Sequence, residues 1–70
     1  MKKFPKPNLL ALRQAKGWSQ QEAAYKVGIS RSYYGFLETG SREPSIAVAK
    51  KLAKAFQLNW YAFFDQSNTG

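Results

Sequence analysis

The side chains of this sequence that could do chemistry are mostly cations and hydroxyls. Eleven Lys and Arg stand against four carboxylates, Glu22, Glu38, Glu43 and Asp65, giving a formal net charge of +7 and an isoelectric point near 10.0. The chain has no cysteine and no histidine. Thiolate nucleophiles, disulfides, a Ser-His-Asp relay and the usual zinc ligand sets are therefore excluded together. Four scattered carboxylates supply no converging acid, base and nucleophile, so no enzyme, cofactor or metal site is expected. The charge balance calls for an anionic partner. Lys and Arg neutralise phosphates, while Arg, Ser, Thr and Gln can hydrogen-bond phosphates or base edges.

These groups must be held by one small domain, because a chain of 70 residues buries only roughly 60% of the surface its unfolded form exposes. A 44% hydrophobic and 16% aromatic content is that of a folded globule. No segment alternates with the period of a strand, whereas helix start and stop signals recur along the chain, so the fold class is all-α. Asn8 caps a first helix over 9–16 that places Leu9 and Leu12 on one face and stops at Gly17. Ser19 and Glu22 form a capping box, flanked by Trp18 and Ala23, for a helix over 20–27. Gly28 ends it, Ile29 plugs the turn, and Ser30 caps a helix over 31–38. The run from Gly40 to Pro44 breaks the chain before Ser45, which caps 46–56 with Ile46, Ala49, Leu52, Ala53 and Phe56 on one stripe. Asn59 caps a short aromatic element over 60–64. Residues 1–7 read as a basic arm, 8–64 as the domain and 65–70 as a frayed tail.

Two helices of about eight residues joined by a turn of about three containing glycine, over 20–39, match the lengths of a helix-turn-helix. Crossed helices there must bury Ala23, Ala24, Val27, Ile29, Tyr34 and Leu37, with small Ala24 beside Gly28 allowing close approach. If Tyr34 and Leu37 face inward, Arg31, Ser32, Gly35, Phe36 and Thr39 lie on the opposite face. That face is the candidate reader.

Leu12-Arg13, Gly17 to Glu22, Lys26 to Tyr34, Leu37 to Gly40 and Arg42 to Ser45 together resemble the Cro and phage-repressor family of DNA-binding domains, also called Xre-like. The resemblance covers about 9–64. It implies a compact lambda-repressor-like fold of five helices, the third in the major groove of double-stranded DNA, with two copies reading a pseudo-palindrome. By the same resemblance, Arg31 and Ser32 read base edges, and Phe36 occupies a reading position where an aromatic ring could press on thymine methyl groups. Gln20 touches a phosphate and supports the reading helix, with Ser19 nearby, and Thr39, Ser41 and Arg42 clamp the DNA backbone. Arg13 and Glu38 make an internal ion pair. Two positions depart from the family pattern. Gly35 leaves a hole on the reading face, and Ala23 stands where a larger apolar residue is usual, so that Trp18 or Tyr34 must fill the volume.

Several residues keep two readings. Tyr33 borders both faces, so phosphate contact and packing are both open. Trp18 and Trp60 are read as core. Lys50, Lys51 and Lys54 form a solvated face, or the first two orient the DNA. Lys2, Lys3 and Lys6 are either a solubilising tail or an arm that follows a groove. The functional expectation is a sequence-specific transcriptional regulator, a repressor acting as a homodimer on DNA, with Trp60, Tyr61, Phe63 and Phe64 as the dimer seam. The alternative is an antitoxin or anti-repressor that uses the same fold to hold a protein. The apolar run at Leu9 is cut at Arg13, short of an export signal, and no stretch reaches membrane-spanning length, so a cytoplasmic location without membrane contact is expected.

Overall fold

The first helix, α1 (Leu9–Lys16), is followed by α2 (Gln20–Val27), α3 (Arg31–Thr39), α4 (Ile46–Phe56) and a terminal 3-10 turn (Trp60–Phe63). This computed structural model describes residues 7–64; the expected arm with Lys2, Lys3 and Lys6, and the expected tail 65–70, lie outside the described residues. Each α-helix starts on a side-chain cap. Asn8 Oδ1 accepts from the Ala11 N–H at 3.0 Å, Ser30 Oγ from Tyr33 at 3.1 Å and Ser45 Oγ from Val48 at 3.1 Å. Ser19 and Glu22 exchange two bonds of 3.0 Å, each satisfying a backbone N–H that the first turn leaves orphaned. Gly28, at φ 90°, sits in the left-handed region that closes the turn between α2 and α3, where any Cβ would be strained. Gln57 takes the same role after α4 at φ 61° without that freedom.

The chain departs from expectation in four places. Helix α3 runs through Thr39 instead of ending at 38, because the Thr39 hydroxyl donates to the Phe36 carbonyl at 3.2 Å and holds its own residue in the last turn. The expected fifth helix over 60–64 is one 3-10 turn of four residues, and the Asn59 side chain makes no cap bond. Instead the Asn59 carbonyl accepts from the Ala62 N–H at 3.1 Å. Ile46 is 56% exposed, so the α4 stripe begins at Ala49. Ile29 is half-buried at the edge of the cluster.

Helix α2 packs on both α3 and α4, α1 on α3, and the 3-10 turn on α4. Between them lies a core of Leu9, Ala23, Ala24, Val27, Tyr34, Leu37, Ala49, Leu52, Phe56 and Phe63. Ala23 is wholly buried in the same core as Tyr34, one of the two largest fully buried side chains, while Trp18 packs its ring 5.5 Å from that of Phe56. Burying Tyr34 and Leu37 turns the other side of α3 to solvent.

Candidate nucleic-acid interface

Arg31, Ser32, Gly35, Phe36 and Thr39, at the spacing of one helix face, line an open concavity of about 500 Å³. Gln20 and Ser41 form its remaining walls. The structure thus brings together seven of the residues expected to make base or backbone contact. Arg31 and Ser32 are exposed at the start of α3, and Phe36 is 48% exposed. Arg42 stands at the far end, its guanidinium 5.9 Å from the Phe36 ring centroid and its backbone N–H donating to the Phe36 carbonyl at 3.2 Å. An arginine over an aromatic face is held by the negative face of the ring.

The Thr39 and Ser41 hydroxyls already donate within the chain. The single Thr39 proton goes to the Phe36 carbonyl, so in the 2.9 Å contact between the Thr39 and Ser41 oxygens it is Ser41 that donates. A phosphate drawing on either hydroxyl must replace one of these bonds. The Ser19 oxygen accepts from the Glu22 N–H in its capping box, which leaves its own proton to donate. Tyr33 is half-buried against the core, which leaves its place at the border of the two faces.

Behind the concavity lies a polar cluster that supports it. Arg13 Nε donates to Glu38 Oε2 at 2.7 Å and Nη2 to Oε1 at 3.3 Å, while Nη1 donates to the Trp18 carbonyl at 2.9 Å. Gln20 Nε2 adds a bond to Glu38 Oε1 at 2.8 Å. One carboxylate therefore ties α1, the start of α2 and the end of α3. Only 14% of the Arg13 side chain and 6% of the Glu38 side chain remain exposed. Burial pushes the Glu38 carboxyl up, but the hydrogen bonds from Arg13 and Gln20 and the Arg13 charge outweigh it and hold the group below the usual carboxylate range. The bond to Glu38 raises the Arg13 guanidinium against the opposing effect of burial. The Tyr34 hydroxyl, buried beside this pair without a hydrogen bond, is pushed far above the ordinary phenol range by burial and then by the Glu38 charge.

The Arg13–Glu38 pairing is the one that the family resemblance implies; the same resemblance has Gln20 support the reading helix without naming Glu38 as its partner, and nothing in the sequence pointed to the place of the Tyr34 hydroxyl. Periodicity marks Tyr34 as inward and gives no sign of what its oxygen meets.

Replacing Glu38 by Gln should leave the Arg13 cation largely buried without a counter-charge. Cutting one side of such a pair costs more than losing a surface pair, here roughly 2 kcal/mol. For a domain of this size that is on the order of 10 °C in Tm. The folded carboxyl titrates below its unfolded value of about 4.3. The contribution of the pair is thus complete above that value and is lost as pH falls through the lower folded one. Thermal melts from pH 7 to 2 should show the two proteins converging in acid. An equal Tm at neutral pH defeats the claim.

At the opposite end of the chain, Trp60 is half-buried, edge-on to Tyr61 at 6.0 Å and to Phe64 at 6.2 Å, with the Lys50 ammonium 5.2 Å above it. Phe63 is 5% exposed and belongs to the core of its own chain, so it offers little to a second copy. Tyr61, at 58%, is the exposed large side chain of this turn. Trp18 is half-buried under two ammonium groups, Lys16 at 5.6 Å and Lys26 at 5.5 Å. Lys51 and Lys54 are exposed on α4. Among the described residues no acidic group of metal-binding size occurs, and no helix is long and apolar enough to cross a membrane.

The model of a helix-turn-helix family, HTH_3, matches residues 9–63. The uncharacterised HTH-type transcriptional regulator YqaF of Bacillus subtilis is 38% identical over 65 residues, covering 93% of this chain and 80% of the relative. Among solved structures, the restriction-modification controller protein C.AhdI of Aeromonas hydrophila superposes with a TM-score of 0.71 at 40% identity, over 81% of this chain and 86% of that one. SinR of Bacillus subtilis, solved in complex with DNA, superposes with a TM-score of 0.70 at 28% identity, over 81% of this chain and 92% of that one. With its all-helical core, a helix-turn-helix at 20–39 and an outward concave face on α3, the chain belongs to this helix-turn-helix family of DNA-binding transcriptional regulators, which are not enzymes.

Proposed function

We propose that this chain represses transcription by occupying a pseudo-palindromic operator in double-stranded DNA as a homodimer. The observation that carries this reading is the concavity on α3, where Arg31, Ser32, Gly35, Phe36 and Thr39 share one outward face. Arg31 and Ser32 read base edges there, with Phe36 against the apolar part of the groove. Gln20, Thr39, Ser41 and Arg42 hold the DNA backbone, with Ser19 and Tyr33 beside them. Phosphate contacts fix the pose, and base contacts supply the choice. One reading helix covers too few bases to mark a unique site, which favours two copies. Tyr61 with Trp60 and Phe64 is the proposed seam, supported by the exposure of Tyr61.

Selection of bound sites from randomised duplexes tests the reading. The recovered sequences should contain inverted half-sites about 10–10.5 base pairs apart, centre to centre. A footprint confined to one half-site, indifferent to loss of the other, excludes the dimer. Recovery of no preferred sequence points instead to the fold holding a protein, as an antitoxin or anti-repressor does.

A further inference from the structure

Gly35 is the residue of the reading face for which the protein alone supplies no requirement. It lies inside α3, its φ is outside the left-handed region, and a Cβ built upon it meets no atom within 4 Å. Alanine would fit without strain and would favour the helix. Glycines inside helices commonly allow a second helix to approach, but the packed side of α3 is that of Tyr34 and Leu37, and Gly35 opens onto the concavity. What needs the space must therefore come from outside.

The surroundings indicate what that is. Phe36 forms an exposed apolar wall beside the missing Cβ, and Arg42 lies over its ring at 5.9 Å. Arg31, Ser32 and Thr39 make the rest of the rim polar. In a major groove lined by hydrogen-bonding edges, the apolar group on offer is the thymine C5-methyl. Resting on the DNA reading above, we propose that Gly35 is a specificity determinant: the gap left by its absent Cβ, walled by Phe36, seats the 5-methyl group of one thymine in each half-site. Any side chain at position 35 holds the helix away from that base. The chain keeps a weaker helix in exchange for this approach.

The test pairs Gly35→Ala with deoxyuridine, which differs from thymidine by that methyl alone. The operator recovered by selection is remade with each thymine in turn replaced by deoxyuridine, and binding of both proteins is measured beside a random duplex at one salt concentration. Gly35→Ala should raise Tm by about 4–8 °C. Its affinity for the operator should fall by roughly tenfold, with random duplex unchanged. The unmodified chain should lose about threefold to tenfold at one thymine position in each half-site when the methyl is removed. Gly35→Ala should show no further loss at that position and an unchanged profile elsewhere. A variant that melts higher yet binds the operator like the parent overturns the proposal, as does a flat uracil scan of the parent. A lower Tm would show that Gly35 serves the fold itself, and it overturns the proposal as well. If the unmodified chain prefers no duplex over random DNA, the DNA reading fails first and the methyl seat falls with it. Operator preference with a flat uracil scan defeats the methyl seat alone.

Discussion

Raising salt from about 50 to 200 mM should weaken binding of this chain to its operator by roughly 10⁴–10⁵-fold. The expectation follows from where the charges lie. Of the described cations, Arg13 alone is withdrawn into the protein against Glu38, whereas Lys16, Lys26, Arg31, Arg42, Lys50, Lys51 and Lys54 are all exposed. With a formal net charge of +7, the surface carries a surplus of positive charge and little acid to oppose it. If each half-site engages about four or five phosphates, log affinity against log salt should fall with a slope of about −7 to −9 for the dimer. Binding isotherms at four or more salt concentrations give the slope directly. An affinity that salt leaves unchanged would remove DNA as the partner, since condensed counterions must be released from any duplex that this surface covers.

Arg31→Ala and Arg42→Ala should each weaken the complex, but in different ways. Arg31 opens α3 on the face opposite Tyr34 and Leu37, so its guanidinium can enter the groove. A bidentate contact there to guanine O6 and N7 discriminates by about 1–3 kcal/mol. Its loss should relax preference at one base position and leave random duplex little changed. Arg42 lies past the end of α3, where a phosphate is the group expected within reach. Removing it should weaken operator and random duplex alike and bring the salt slope nearer zero by about one unit per half-site, or about two for the dimer. The bond from the Arg42 N–H to the Phe36 carbonyl belongs to the backbone and survives the substitution, so the last turn of α3 stays in place. Affinities for both duplexes at two salt concentrations decide the matter. If Arg31→Ala weakens both equally while Arg42→Ala weakens the operator alone, the roles are reversed.

Much of this architecture is legible in the sequence because its signals are local. A Ser or Asn three residues before the N–H it accepts from is a local signal of a helix start, and four of the five expected caps are formed, Asn59 being the exception. Counting from Tyr34 and Leu37 suffices to place Arg31, Ser32, Gly35, Phe36 and Thr39 on one face. What local signals miss depends on how far neighbouring elements extend. A stripe on α4 tells which side of the helix is apolar, not that the first turn projects beyond its neighbours and leaves Ile46 exposed. The aromatic run from Trp60 to Phe64 does not tell which ring packs inward; the 3-10 turn puts Phe63 into the core and leaves Tyr61 exposed. The Gln20–Glu38 bond joins residues 18 apart in sequence, and neither has a local pattern that names the other.

The two sides of α3 have different obligations. Tyr34, Leu37 and Glu38 hold the domain together, whereas among the described residues neither Arg31 nor Ser32 makes a side-chain hydrogen bond within the chain. Mutation can therefore rewrite Arg31 and Ser32 with little penalty in folding, much as a key is recut without remaking its bow. If Arg31 and Ser32 read the operator as proposed, descendants of this sequence are free to diverge in operator preference while sharing one scaffold, and two paralogues in one cell need differ at only a few outward positions to stop competing for each other's sites.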